Sequence, residues 1–189
     1  MYLSISLIFV ALLTAIYVIF FNRLQEAITR VEQGWSGVEV QLKRRHQLVP
    51  GLVAAVKSAM KHEDEFVAKL IDARTKAEAA LHVGDKELIS KTEITLRSQM
   101  RSLLIRVEDN PEITATQNIV TFQKQLEETE DQIAASRRIY NGNVQSLNAR
   151  IASFPGNMVA QRHGIKAANS FELAQDEISE VYRGPSVQL

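Results

Sequence analysis

From Tyr2 to Phe21 the chain reads YLSISLIFVALLTAIYVIFF, and no charged residue occurs before Arg23. Twenty residues of helix, at about 1.5 Å each, cover about 30 Å, the thickness of a bilayer's hydrocarbon core. A helix apolar on every side needs a wholly apolar environment. The chain therefore either crosses a membrane here or loses the segment by cleavage. A cleaved signal sequence wants a basic start, a shorter apolar core and small residues at the cut. Lys and Arg are missing ahead of this core, which closes on Ile19, Phe20 and Phe21, so residues 1–22 are expected to remain as a single-pass anchor. Arg23 and Arg30 follow it, then Lys43, Arg44 and Arg45. Positive flanks stay inside, so the soluble part is expected in the cytoplasm. Ala11 and Ala15 form one small-xxx-small pair, a spacing that also arises by chance.

The anchor changes what composition means. All 22 Lys+Arg and 22 Asp+Glu lie beyond residue 22, so the 46% hydrophobic share describes an anchor plus a well-charged soluble part of zero net charge. Neutral balance argues against a nucleic-acid partner, because neutralising phosphates requires a basic excess. The lack of cysteine removes disulfides, thiolate metal sites and cysteine nucleophiles.

No proline or glycine interrupts residues 1–33, so the anchor should run straight into a soluble helix. There Leu24, Ile28, Val31, Trp35, Val38 and Leu42 alternate at spacings of four and three, a coiled-coil-like seam. Gly34 and Gly37 flank Trp35, where a neighbouring helix can approach closely, or where glycine is simply tolerated. Leu48-Val49-Pro50-Gly51 predicts a break, because proline disfavours a helical residue before it. Four helices follow from this punctuation, at about residues 23–48, 52–82, 86–108 and 112–154. Leu88, Leu96, Leu103 and Val107 give the third a narrow apolar face, and it should be the least buried. In the fourth, Ile119, Leu126, Ile133, Tyr140, Leu147 and Phe154 recur every seventh residue, while the companion positions Phe122, Thr129, Ser136, Asn143 and Arg150 pass from apolar to polar. Thr129, Ser136, Asn143 and Arg150 then either receive bulky neighbours or face water, or line a polar lumen or a contact to another protomer or partner.

Four helices with short connections imply an all-α, antiparallel up-down-up-down four-helix bundle, residues 23–154, continuing from the transmembrane helix. Residues 155–189 form a membrane-proximal segment and tail. Within and beside it Phe154, Met158, Val159 and Ile165 mix with Arg162, His163 and Lys166, a composition suited to headgroups. Phe154, Met158, Val159, Arg162 and Lys166 are therefore membrane-interface candidates, with packing against the bundle base as the competing expectation. Phe171, Ala174, Ile178, Val181 and Tyr182 are spaced for a short helix.

Catalytic patterns do not emerge. The residues three before His46, His62, His82 and His163 are Lys43, Ala59, Ala79 and Ala160, so the Glu-x-x-His pairs of a bundle di-iron site are lacking. Phosphate-cradling glycine loops and the Gly-x-Ser-x-Gly elbow are lacking too. His62-Glu63-Asp64-Glu65 reads as solvated surface, and Glu127, Glu128, Glu130 and Asp131 with Arg137 and Arg138 as solvent-exposed pairs. No enzyme activity, cofactor or metal is expected.

Several ordered motifs nonetheless point to kin. The anchor, Trp35-Ser36-Gly37-Val38-Glu39-Val40-Gln41 with Arg44-Arg45, and Leu48-Val49-Pro50-Gly51-Leu52-Val53 are followed by Glu108-Asp109-Asn110-Pro111-Glu112, Leu126-Glu127-Glu128-Thr129-Glu130, Ile133-Ala134-Ala135-Ser136-Arg137-Arg138, Tyr140-Asn141 and Phe154-Pro155. Across essentially its whole length the chain resembles LemA family proteins. Gly51 stands where the family often has asparagine and Asn110 where it has tyrosine. The lysines with which many members begin have no counterpart, and members carrying them would be oriented the other way. The resemblance implies an anchored helical bundle without an established reaction, linked to cell-envelope processes, neighbouring membrane metallopeptidases and membrane remodelling. The expectation is a non-enzymatic scaffold bound to the lipid bilayer and forming homo-oligomers. Its rival is an adaptor or sensor for another membrane protein, such as a peptidase or transporter.

Overall fold

The computed structural model of the protein describes residues 2–59, 64–108 and 117–173. These residues hold helices and no strand: α1 (Tyr2–Ala59), α2 (Asp64–Val83), α3 (Lys86–Glu108), α4 (Gln117–Ala152) and α5 (Gly156–Arg162). Among the described residues one helix, α1, is long and apolar enough to cross a membrane, and none of its most apolar window is buried.

The predicted break at Leu48-Val49-Pro50-Gly51 does not occur, because α1 passes through Pro50 to Ala59. An interior proline costs about 3 kcal/mol, partly by leaving the carbonyl four residues earlier without its donor. Here that carbonyl belongs to His46, and Arg74 Nε–H donates to it at 3.0 Å. Val49, Leu52 and Val56, on either side of Pro50, are buried, each contributing about 1.5–3 kcal/mol. Burial of the seam together with a substitute donor outweighs the lost backbone bond.

The chain divides into two compact units, residues 1–38 with 136–170, and residues 39–135 with 171–189. The second is built on one core. Val49, Leu52 and Val56 of α1 join Val67, Leu70, Ala73 and Ala77 of α2, Leu96, Met100, Leu103 and Val107 of α3, and Ile119 and Phe122 of α4. Gly84, at φ +77°, turns the chain between α2 and α3, a conformation glycine adopts without strain. Asp85 caps α3 by accepting the N–H groups of Glu87 and Leu88 through Oδ1. The expectation that the third helix is the least buried fails: α3 buries Ile89, Glu93, Leu96, Met100, Leu103 and Val107, at spacings of four and three, against five residues in α2. The face looked narrow because the seam runs through Ile89 rather than Leu88, which is exposed, and because one of its positions is a carboxylate.

In the first unit Leu24, Ala27, Val31 and Val38 of α1 and Tyr140, Val144 and Leu147 of α4 are buried. The indole of Trp35 meets the ring of Tyr140 edge-on, with centroids 5.4 Å apart. At Gly34 a Cβ would stand 3.1 Å from Tyr140 Cα and 3.0 Å from Asn143 Nδ2, whereas at Gly37 it would meet nothing within 4 Å. Gly34 is thus the glycine that permits close approach. Residues 165–170 follow without helix and are stitched to α4: Asn148 exchanges two hydrogen bonds with the backbone of Ala168, and Tyr140 O–H donates to the Asn169 carbonyl. Residues 171–173, expected to begin a helix, are not helical, although Phe171 and Leu173 are buried. Ala174, Ile178, Val181 and Tyr182 lie outside the described residues.

Candidate membrane-proximal site and buried ionic cluster

In the first unit the segment after α4 is tied to the apolar run. Tyr17 and Phe21 lie one turn apart on α1, on one face. Tyr17 Oη and His163 Nε2 are 2.7 Å apart, and the Phe21 ring lies 4.5 Å from the imidazole centroid. Two side chains of α4 also reach the α1 backbone: Asn143 Nδ2 donates to the Arg30 carbonyl at 2.8 Å, and Arg150 Nη1 to the Arg23 carbonyl at 3.0 Å. The guanidinium of Arg23 turns back over the Phe20 ring, 5.7 Å from its centroid.

The residues singled out from sequence divide accordingly. Phe154 (78% exposed), Met158 (62%), Arg162 and Lys166 are exposed, whereas Val159 is buried with Ala160 on the inner side of α5. Thr129 is fully buried and donates its hydroxyl hydrogen to the Gln125 carbonyl, a bond within its own helix. Asn143 and Arg150 are half-buried and spend donors on α1, while Ser136 is half-buried beside exposed Ile139. Ser136, Ile139, Asn143, Gly34 and Gly37 line a shallow groove of about 270 Å³.

The second unit holds a cluster that the sequence reading did not find. Arg45, fully buried, donates to Glu93 through Nη2 and to Glu130 Oε1 through Nη1 at 2.8 Å. The other Glu93 oxygen lies 2.7 Å from His46 Nε2. Arg97 Nε stands 3.8 Å from the second Glu130 oxygen. Glu130 is thus no ordinary surface charge: beside seam residue Thr129, it is 28% exposed and reaches inward, while Glu128 makes the solvent-exposed pairing with Arg44 at 3.9 Å. Burial alone would lower the Arg45 pKa, but Glu93 and Glu130 overcome this and hold it above its ordinary value. Burial likewise pushes Glu93 up, but the His46 hydrogen bond and the Arg45 charge hold its carboxyl below the usual range. Both Glu93 oxygens bind side chains of α1 and the carboxylate is fully buried, so it pins the register of α3 against α1. A legible signal existed: Arg45 falls three after Leu42 and four before Val49, and Glu93 four after Ile89 and three before Leu96, so both sit in hydrophobic seams.

Among the described residues no group of three or more His, Cys, Asp or Glu side chains could hold a metal ion. His62 and Glu63 lie outside those residues.

A first helix long and apolar enough to cross a membrane and an otherwise helical body define a helical protein with one candidate membrane span among the described residues. The chain belongs to the LemA family, whose profile it matches over residues 34–188. It is similar to Protein LemA of Metamycoplasma hominis, with 23% identity over 164 residues, covering 85% of this chain and 72% of that protein.

Proposed function

We propose that the protein is a non-enzymatic scaffold of the cell envelope, held in the inner membrane by residues 1–22 with residues 23–154 forming an up-down-up-down bundle on the cytoplasmic side. Residues 154–166 act as a collar at the membrane surface. The contact that carries this reading is His163 against Tyr17 and Phe21. It ties the collar to the last turns of the apolar run, at the level where that run leaves the hydrocarbon. Phe154 and Met158 then face headgroups and acyl chains, with Arg162 and Lys166 in the polar layer. Val159 serves the collar by anchoring α5 to its own unit rather than by touching lipid.

The chain has no cysteine, so a polarity-sensitive fluorophore on Met158→Cys reports one position. In nanodiscs its emission should shift to the blue of a label on exposed Val83→Cys. Equal, water-like emission from both would refute the collar. Self-association is proposed through the groove beside Ser136 and Ile139, where a second copy would cover exposed Ile139 (62%). Crosslinking through Ser136→Cys in membranes should trap a homodimer at native expression. A small hetero-complex by mass after gentle extraction would instead select the adaptor role.

A further inference from the structure

We propose that the cleft where α1 leaves the apolar run is a binding site for the phosphodiester headgroup of an anionic phospholipid. This rests on the collar reading and adds a ligand to it. The cleft, about 560 Å³, is lined by Phe20, Arg23 and Glu26 of α1, by Ser146 and Arg150 of α4, and by Ser153 and Phe154 beyond it. That volume suits a headgroup and glycerol.

The lining is graded along α1. Phe20 belongs to the apolar run, and Phe154 is 78% exposed, so these rings can flank the first methylenes of an acyl chain. One turn further on, Arg23 folds its guanidinium back over Phe20, which holds the charge close to the apolar edge. Arg150 is oriented by its Nη1 bond to the Arg23 carbonyl, and its fork has further N–H groups to offer. Two guanidinium groups at one cleft match a phosphodiester's non-bridging oxygens. Ser153 Oγ already donates to the Ala149 carbonyl at 2.7 Å, so it can only accept, and suits the hydroxyl of a glycerol headgroup. Glu26 is the one opposing charge, and Arg30 neutralises it at 2.6 Å. With Glu26 paired in this way, Arg23 and Arg150 leave the cleft net positive, which favours an anionic lipid over a zwitterionic one. At Gly156 a Cβ would overlap the Arg150 carbonyl, so glycine lets the Ser153–Gly156 turn close tightly over the cleft.

The test uses the full-length protein in nanodiscs of equal phosphatidylglycerol and phosphatidylcholine, followed by native mass spectrometry of the released protein. The wild type should retain phosphatidylglycerol preferentially, and Arg23→Gln, whose backbone carbonyl stays in place for Arg150, should reduce that preference about tenfold, the loss of one charge-assisted contact. Arg150→Gln should do the same, and Arg150→Lys should restore part of it. Equal retention of both lipids, or an unchanged preference in Arg23→Gln, overturns the assignment. Displacement of the lipid by millimolar inorganic phosphate would make this a free-phosphate site and also overturns it. The Met158→Cys fluorophore in the same nanodiscs separates the two failures: blue-shifted emission without lipid preference sinks only the headgroup site, whereas water-like emission sinks the collar.

Discussion

Replacing Glu93 by leucine tests whether the buried cluster holds the helices of the second unit in place. Arg45 would remain, fully buried, with its charge facing an apolar side chain, and His46, 2% exposed, would lose its Nε2 partner. Only Glu130 would still bind the guanidinium, and at 28% exposure its carboxylate is partly hydrated. Removing one partner of a buried ion pair costs about 3–5 kcal/mol, because the stranded charge has neither water nor counterion. The retained Glu130 bond places the expected loss at the lower end, about 3 kcal/mol. Replacing both charges is different in kind. Arg45→Met with Glu93→Leu removes the desolvated charges together, leaving Glu130 to rehydrate beside Arg97, so most of the loss should be recovered. Urea unfolding followed by circular dichroism of the detergent-solubilised protein would measure both. A loss below about 1 kcal/mol in Glu93→Leu would show that the charge is not buried as described. A double variant as unstable as the sum of its single changes would show that the groups do not interact.

The same carboxylate sets an acid limit. Because Glu93 titrates below its unfolded value of about 4.3, it contributes stability that is fully present above that value and is lost as pH falls through the depressed folded value. Melting temperature should decline below about pH 5, and Glu93→Gln should flatten that decline. At α1, Gly37→Ala should stabilise by about 0.5–1 kcal/mol through helix propensity, whereas Gly34→Ala should destabilise by about 1 kcal/mol, since the Tyr140 backbone cannot yield. Equal thermal shifts in the two variants would contradict the close approach at Gly34. Arg74→Met should cost about 1 kcal/mol by orphaning the His46 carbonyl. Made in the Pro50→Ala background, where the backbone N–H returns, it should cost measurably less in the same melts.

Most of the α4 series was readable: of the positions seven apart, Ile119, Ile133, Tyr140 and Leu147 are buried and Leu126 is half-buried, while Phe154, past the end of α4, is exposed, as is Leu88 in α3. Reading failed where a residue's usual behaviour was reversed by its tertiary partner. Pro50 looks like a terminator because its donor is missing, and only the folded chain brings Arg74 to supply one. Arg45 and Glu93 carry charges that sequence alone gives no reason to bury, and only the folded chain brings the two together. Thr129, Asn143 and Arg150 read as a polar edge whose neighbours stay open, since sequence spacing assigns a face but does not show that two of these side chains reach carbonyls of α1.

The bond between Tyr17 and His163 also has a mechanical side. With residues 1–22 spanning a bilayer and residues 154–166 as the proposed collar, lipid on the collar side would reach only residues 2–16, about 22 Å of helix, and on the opposite side the whole run of about 30 Å. An anchor so placed would have two hydrophobic lengths, one per side. A symmetric bilayer cannot match both with the helix upright, and tilt is the usual relief of such a mismatch. On that reading the direction of tilt is built into the protein, with the collar side raised toward the membrane surface and the opposite side sunk, and a thicker membrane would load the Tyr17–His163 contact while a thinner one would relax it.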